Sequence, residues 1–130
     1  MDREEIIRRL AEFPYERGEY WLGGGGALAL YGIREQTADI DLGCSSKMAD
    51  LLEADGCLVR KTPDGKRCFR YGESIEIFED WLRGSVETVD GIPVASLPCL
   101  LEMKRALGRE KDLRDIERIR EYLARRNGGA

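Results

Sequence analysis

The sequence predicts an α/β domain of the α+β type, in which α-helices flank a mixed, twisted β-sheet. Two features support this prediction. A short apolar strand runs into four consecutive glycines and a short apolar helix, and a segment with alternating acidic and apolar residues follows. Further along, short apolar runs separated by Gly, Asp and Pro predict more strands, and the last third of the chain has helical periodicity. Alternating strands and helices favour a sheet covered by helices.

The first third of the chain predicts two helices and two strands. Asp2 is a favourable N-cap, and Ile6, Leu10 and Phe13 follow at helical spacing before Pro14 ends the pattern. Small and apolar residues after the glycines predict a buried helix that stops at the next glycine. The predicted elements are a helix over 3–13, a strand over 19–22, a helix over 27–31 and a strand over 38–42.

The rest of the chain predicts a helix, two hairpins with a strand between them, and two final helices. Ser45 or Ser46 caps the first of these helices, which ends near Gly56. A Pro-Asp-Gly turn and an Asp-Gly turn define the hairpins, the second of which is expected as an extra hairpin at the rim. Pro98 opens the next helix, and Asp112 starts the last. The predicted strands cover 57–60, 67–71, 74–78, 86–89 and 92–94.

Length and composition predict a single small domain. The chain has 130 residues and 42% hydrophobic content, which suffices for one core. Residues 1–97 are expected to form the α/β core that holds the site, and the helices of 98–126 to pack on it. The N-terminus lacks a signal peptide, and no segment is long and apolar enough for a membrane span, so we expect a cytoplasmic protein with no membrane partner.

The charged and sulfur-containing residues exclude several kinds of chemistry. The chain has 25 acidic and 21 basic residues, a net charge of −4, and therefore no overall basic field for nucleic acid. It has no histidine, which excludes a Ser-His-Asp or Cys-His arrangement within this chain. Its four cysteines form no CxxC pair, which argues against a zinc site. Any catalysis therefore depends on carboxylates and a metal ion.

Asp39 and Asp41 are the strongest candidates for metal ligands. Residues i and i+2 of a strand point to the same face, so both carboxylates can bind one hard cation such as Mg²⁺ while Ile40 packs behind them. Aspartate is depleted in strands, and two on one face require a compensating charge. Backbone amides of the glycine turn, Gly24 to Gly26, and the N-terminus of the following helix are suited to bind phosphates.

A third acid on a later strand can complete the cluster. Glu76 lies between Ile75 and Ile77, so its side chain points away from the apolar face and meets the acid pair if the two strands are neighbours. Glu73, Glu79 and Asp80 are alternative third acids for a different register.

Together these features resemble the polymerase-beta-type nucleotidyltransferase superfamily, whose motif is a glycine pair, a short helix, an acid-hydrophobic-acid strand and a third acid on a later strand. The chain is most similar to a small bacterial branch related to abortive-infection nucleotidyltransferase toxins. In that branch a helix lysine and a Lys-Asp-x-x-Asp segment recur. The matching residues are Gly24, Gly25, Gly26, Gly32, Arg34, Thr37, Asp39, Asp41, Glu76, Lys104, Lys111, Asp112 and Asp115.

The resemblance implies a reaction and a role for each residue. Asp39, Asp41 and Glu76 would bind Mg²⁺ or Mn²⁺, and a nucleoside triphosphate would donate its monophosphate to an acceptor hydroxyl with release of pyrophosphate. Gly24, Gly25, Gly26, Arg34 and Thr37 would contact the nucleotide. Lys104 and Lys111 are candidates for phosphate contacts, or are solvated helix positions. Asp112 and Asp115 are expected to cap the helix or pair with basic residues.

The acceptor and the partners stay open at this level. The acceptor is a small molecule, an RNA end or a protein hydroxyl, and it binds on this chain, across a homodimer interface or on a partner chain. The chain departs from the usual motif by carrying Gly-Gly for Gly-Ser and Glu for Asp as the third acid. The main alternative is therefore a catalytically weak or inactive binding module, such as a toxin-antitoxin partner. Dinucleotide binding is disfavoured because Asp39 follows Gly24 too closely.

Overall fold

The computed structural model describes residues 1–81 and 84–128, and in these residues seven strands form one mixed sheet. The strands are β1 (Tyr20–Gly23), β2 (Ile40–Cys44), β3 (Val59–Lys61), β4 (Arg67–Tyr71), β5 (Ile75–Glu79), β6 (Val86–Val89) and β7 (Ile92–Ala95). The sheet order is β3-β4-β5-β2-β1-β7-β6. The pairs β2–β5 and β1–β7 are parallel, and the other neighbours are antiparallel.

Five α-helices accompany the sheet within the same residues, together with a 3-10 turn at Arg17–Glu19. Side chains of Asp2, Ser45 and Ser96 accept hydrogen bonds from backbone amides in the first turns of three of these helices, which satisfies donors that have no partner inside a helix. No helix in the described ranges is long and apolar enough to cross a membrane. The helices are α1 (Arg3–Ala11), α2 (Gly24–Tyr31), α3 (Ser46–Ala54), α4 (Leu97–Leu107) and α5 (Glu110–Gly128).

Alternation along the central strands gives the sheet two different faces. In β2, Ile40, Leu42 and Cys44 are fully buried in the apolar core, to which α1 and α2 also contribute. Asp41 and Gly43 point to the opposite face, which we call the site face. The fold thus buries one set of alternating residues and keeps the acidic set accessible.

The mixed α/β architecture predicted from the sequence is confirmed, but several boundaries and one strand pairing differ. The 86–94 hairpin is no separate addition, because β7 pairs with β1 through Val94 and Leu22 and so extends the main sheet. Helix α2 begins at Gly24, earlier than predicted. The low helix propensity of glycine argued against a helix there, but packing against β1 and β2 stabilises this start. Pairing of β2 with β5 starts at Ile40, so Asp39 lies just before the strand. Helix α5 begins at Glu110, ahead of Asp112.

Candidate active site

The predicted acids meet on the site face of the sheet. Asp41 in β2 is the register partner of Glu76 in the parallel strand β5, so their side chains emerge next to each other. Asp39 precedes β2 by one residue and is exposed, whereas Asp41 is half-buried. Burial raises the pKa of Asp41, and the negative charges of Glu76 and Asp39 raise it further. Asp41 is therefore close enough to both of the other carboxylates to be repelled by them.

The three acids differ in their partners. Arg70 Nη1 lies 3.1 Å from Glu76 Oε1, and Arg60 Nη2 lies 3.9 Å from Glu76 Oε2. Within the described residues, neither Asp39 nor Asp41 forms an ion pair, and no three acidic or cysteine side chains are arranged to hold a metal ion. Two mutually repelling carboxylates with free oxygens fit a hard divalent cation. For Glu76, binding the same cation would compete with its contacts to Arg70 and Arg60.

The alternative third acids lie elsewhere. Glu79 points to the opposite face of β5, where Arg67 donates hydrogen bonds to it and lowers its pKa to about 2. Asp80 follows the strand and pairs with Lys66 at 2.9 Å. Glu73 is exposed before β5, and its backbone carbonyl accepts a hydrogen bond from Arg70. The strand register thus places Glu76, and none of these acids, opposite Asp41.

The glycine turn contacts the side chains predicted to bind nucleotide. A Cβ atom on Gly25 would lie 2.6 Å from Arg34 Nη1 and 2.7 Å from Thr37 Oγ1. A Cβ atom on Gly24, whose φ is +57°, would lie 3.1 Å from Asp41 Oδ2. Both glycines therefore allow a close approach that any larger residue would block. A Cβ atom on Gly26 would instead meet Leu22 at 3.0 Å, so this glycine allows α2 to pack on β1.

A pocket of about 520 Å³ opens between this turn and the two C-terminal helices. This volume falls in the range typical of small-molecule sites. Gly26 and Glu76 are absent from its lining, whereas the other predicted site residues belong to it. The residues that line the pocket are Gly24, Gly25, Arg34, Thr37, Ala38, Asp39, Asp41, Trp81, Met103, Lys104, Leu107, Arg109, Lys111 and Asp115.

Lys104 lies in the pocket wall with its ammonium group held by carboxylates. Its side chain is 7% exposed, and Nζ lies 3.1 Å from Asp115 Oδ2 and 3.4 Å from Asp112 Oδ1. Arg34 Nη2 also donates to Asp115, at 2.9 and 3.1 Å. Hydrogen bonds from Arg109 lower the pKa of Asp112 to about 2. The prediction that these aspartates pair with basic residues is confirmed.

This network decides which cations face the pocket. Lys104 is bound by two aspartates, so a phosphate would compete with them for its ammonium group. Lys111 is exposed at the pocket rim. Arg34 shares Asp115 with Lys104 but directs Nη1 toward the glycine turn. Arg34 is therefore the cation best placed beside Gly25.

The sequence did not indicate three residues at the edge of this site. Trp81 lines the pocket, and Trp21 and Gly43 pack against it. Trp21 Nε1 donates a 2.7 Å hydrogen bond to the carbonyl of Trp81, which lines the pocket. Trp21 crosses Gly43, where a Cβ atom would come closer than 3.0 Å to both the Trp21 ring and the Trp81 carbonyl. The available signal was a glycine inside a strand, where glycine often marks close approach of another group.

Comparison with solved structures identifies the architecture. One match covers 95% of this chain and 95% of a protein from Thermotoga maritima proposed to be a nucleotidyltransferase, with 22% identity and a TM-score of 0.64. The chain has the nucleotidyltransferase fold. Protein-family profiles and curated sequences gave no match.

Two further structures share the nucleotidyltransferase fold. The lincosamide antibiotic adenylyltransferase LnuA, solved with lincomycin bound, is 17% identical with a TM-score of 0.59, and the match covers 92% of this chain and 97% of LnuA. ANT(2")-Ia, solved with adenylyl-2"-tobramycin, is also 17% identical with a TM-score of 0.57, and the match covers 92% of this chain and 86% of ANT(2")-Ia. At these identities the comparison establishes the fold.

Proposed function

We propose that the protein is a magnesium-dependent nucleotidyltransferase that transfers a nucleoside monophosphate from a nucleoside triphosphate to an acceptor hydroxyl. The observation that carries this proposal is the meeting of Asp41, the Gly24–Gly25 turn and Arg34 in one pocket. Carboxylates for a cation and amides with a guanidinium for phosphates are the two requirements of triphosphate binding. The activities named for the structural neighbours agree with this assignment.

Each residue of the pocket has a role in this proposal. Asp39 and Asp41 would hold Mg²⁺ or Mn²⁺. When bound there, such an ion would supply positive charge that neutralises the triphosphate during transfer. Arg34 and the amides at the start of α2 would hold the outgoing pyrophosphate. The Thr37 hydroxyl, which donates to the Asp39 carbonyl at 3.1 Å, would turn to donate to a phosphate oxygen instead.

Glu76 is assigned to the acceptor. Released from its arginines, its carboxylate would accept the proton of the acceptor hydroxyl or help bind a cation. The acceptor oxygen forms a bond to the α-phosphorus, and the bond from this phosphorus to the pyrophosphate oxygen breaks. Each transfer therefore consumes one triphosphate and one acceptor, and it yields the nucleotidylated acceptor and one pyrophosphate.

Gly25→Val is expected to weaken the binding of a nucleoside triphosphate by about 100-fold or more. The new side chain would occupy the space of Arg34 Nη1 and Thr37 Oγ1, which lie 2.6 and 2.7 Å from the position of a Cβ atom. Loss of a charge-assisted contact and of the backbone approach together supports this size. Equilibrium binding of a non-hydrolysable triphosphate checks it, with Gly18→Ala as control, since space around Gly18 is open. Unchanged affinity for Gly25→Val would contradict the phosphate site.

Pyrophosphate release tests the function as a whole. Each of the four common nucleoside triphosphates is supplied with Mg²⁺ or Mn²⁺ and a cell-extract acceptor pool. The Asp39→Asn/Asp41→Asn double variant is the negative control, and Glu117→Gln, an exposed acid on α5, is the matched control. Release that is lost in the double variant and with chelator supports the proposal. Equal release from the double variant would exclude it.

A second candidate function follows from the partners of Glu76. Because two arginines hold this carboxylate, the chain can bind nucleotide without turning it over. Such a protein would act as a binding module, for example in a toxin-antitoxin pair, with its partner in the cytoplasm. Nucleotide binding without pyrophosphate release under every condition above would favour this role.

A further inference from the structure

The direction from which the acceptor arrives follows from the sheet order, if the proposed nucleotidyl transfer holds. In-line displacement places the attacking and leaving oxygens on opposite sides of the α-phosphorus. The leaving pyrophosphate belongs at the Gly24–Gly25 turn, on the β1 side of Asp41. Strands β5, β4 and β3 lie on the other side of β2. The acceptor must therefore approach over these three strands.

Two arginines extend across this approach on the site face. Arg70 in β4 is the register partner of Glu76, and Arg60 in β3 is the register partner of Cys68, the next site-face residue of β4. Neighbouring strands lie about 5 Å apart, so the arginines stand one and two strands beyond Glu76. Their side chains are 54% and 72% exposed, and both reach the Glu76 carboxylate.

The other basic residues of this hairpin are already occupied or face away. Arg67 points to the opposite face and pairs with Asp50, Glu53 and Glu79. Lys61 is the register partner of Arg67 and lies on that opposite face as well. Lys66 pairs with Asp80. Arg60 and Arg70 therefore place two positive charges against the single charge of Glu76 along the acceptor approach.

This charge balance selects the chemistry of the acceptor. Glu76, the backbone carbonyl of Glu73 and Cys68 Sγ accept from these arginines, and together they use only part of the ten N–H donors of two guanidinium groups. The remaining donors suit a phosphate, which arginine binds in a bidentate manner, and they repel a polycationic acceptor. We propose that the acceptor carries a phosphate ester near its reacting hydroxyl, and that Arg60 and Arg70 bind this phosphate. Binding it would also free Glu76 from the arginines for its role at the hydroxyl.

Two sources offer this chemistry, a small phosphorylated molecule and the 3′ end of an RNA chain. Transfer of label from an α-labelled triphosphate is measured with a nucleoside monophosphate, with a short oligoribonucleotide and with an unphosphorylated nucleoside. Wild-type protein is expected to prefer the phosphorylated acceptors. If the oligoribonucleotide is the better acceptor, the site is assigned to an RNA end. If the nucleoside monophosphate is used as well as the oligoribonucleotide, the site is assigned to small phosphorylated molecules.

Substitution of the arginines tests whether they create this preference. Arg60→Gln and Arg70→Gln are each expected to raise the KM for the phosphorylated acceptor about tenfold, with the KM for the triphosphate within about twofold of wild type. Arg70→Lys keeps the charge and should restore part of the loss. Arg120→Gln, at an exposed site on α5, is the control. An unchanged acceptor KM in both Gln variants, or equal use of the unphosphorylated nucleoside, would overturn the inference.

A binding measurement separates this inference from the proposed function. Affinity of a fluorescent oligoribonucleotide and of the nucleoside monophosphate is measured without triphosphate or metal. Affinity that falls about tenfold in each Gln variant supports the arginine site even if no transfer occurs, and the transferase proposal then fails alone. Transfer to an acceptor without phosphate, at a rate that the arginine variants leave unchanged, would refute this inference and retain the transferase.

Discussion

Asp41→Asn is expected to lower the rate of nucleotide transfer about a thousandfold, which corresponds to roughly 4 kcal/mol of transition-state free energy. The amide keeps the shape of Asp41 but removes the charge that binds the cation. Burial raises the pKa of Asp41 in the folded protein, and repulsion from Glu76 and Asp39 raises it further, so its ionised form destabilises the fold. The metal-free Asp41→Asn variant should therefore be as stable as wild type or more stable. Steady-state transfer rates and thermal unfolding without metal measure the two effects.

Glu79 provides the matched control in the same sheet. Arg67 lowers its pKa to about 2, so here the ionised carboxylate stabilises the fold, and the stability it contributes is lost as pH falls from about 4.5 toward 2. Glu79→Gln should therefore lower the melting temperature and leave transfer intact at a temperature where the variant is folded. Wild-type transfer in Asp41→Asn, or a large loss of its stability, would show that Asp41 is a structural residue.

Gly43→Ala is expected to lower the free energy of unfolding by about 3 kcal/mol or more. Its Cβ atom would fall closer than 3.0 Å to Trp21 Nε1 and to the Trp81 carbonyl, and the second of these is backbone that cannot rotate away. Relief requires moving the Trp21 ring or the segment that carries Trp81, at a cost typical of overpacking at the high end. The hydrogen bond between the two tryptophans would break as well.

Thermal and urea unfolding measure the effect of Gly43→Ala. A loss of this size corresponds to a fall in melting temperature of roughly 10 °C for a domain of this length. Gly18→Ala is the control, because its Cβ atom would meet open space and it should change stability by less than about 0.5 kcal/mol. Equal melting temperatures for the two variants would contradict the close packing of Trp21 across Gly43.

The parts of the fold that depend on local chemistry were predictable from the sequence. The Ser45 cap, the Pro-Asp-Gly turn and the alternation around Asp41 act over a few residues, and the structure contains all three. The start of α2 was missed because glycine has little intrinsic helix propensity, and contacts with β1 and β2 determine this boundary.

The parts that depend on distant contacts were not predictable. Alternation along β5 favoured Glu76, but Glu79 stayed open as an alternative because the pairing and register of β2 and β5 join segments far apart in the sequence. The ion pairs of Lys104 join two successive helices whose packing the periodicity does not specify. The hydrogen bond from Trp21 to Trp81 spans 60 residues, and its only local sign is Gly43.

Transfer of isotope from two labels of one triphosphate tests the central claim most directly. Parallel reactions contain the preferred triphosphate labelled at the α-phosphate or at the γ-phosphate, with the acceptor pool and Mg²⁺. The account predicts that the α-label becomes covalently attached to the acceptor, that the γ-label leaves as pyrophosphate, and that Asp39→Asn/Asp41→Asn abolishes both. Attachment of the γ-label to the acceptor, or its release as inorganic phosphate without α-label transfer, would contradict nucleotidyl transfer.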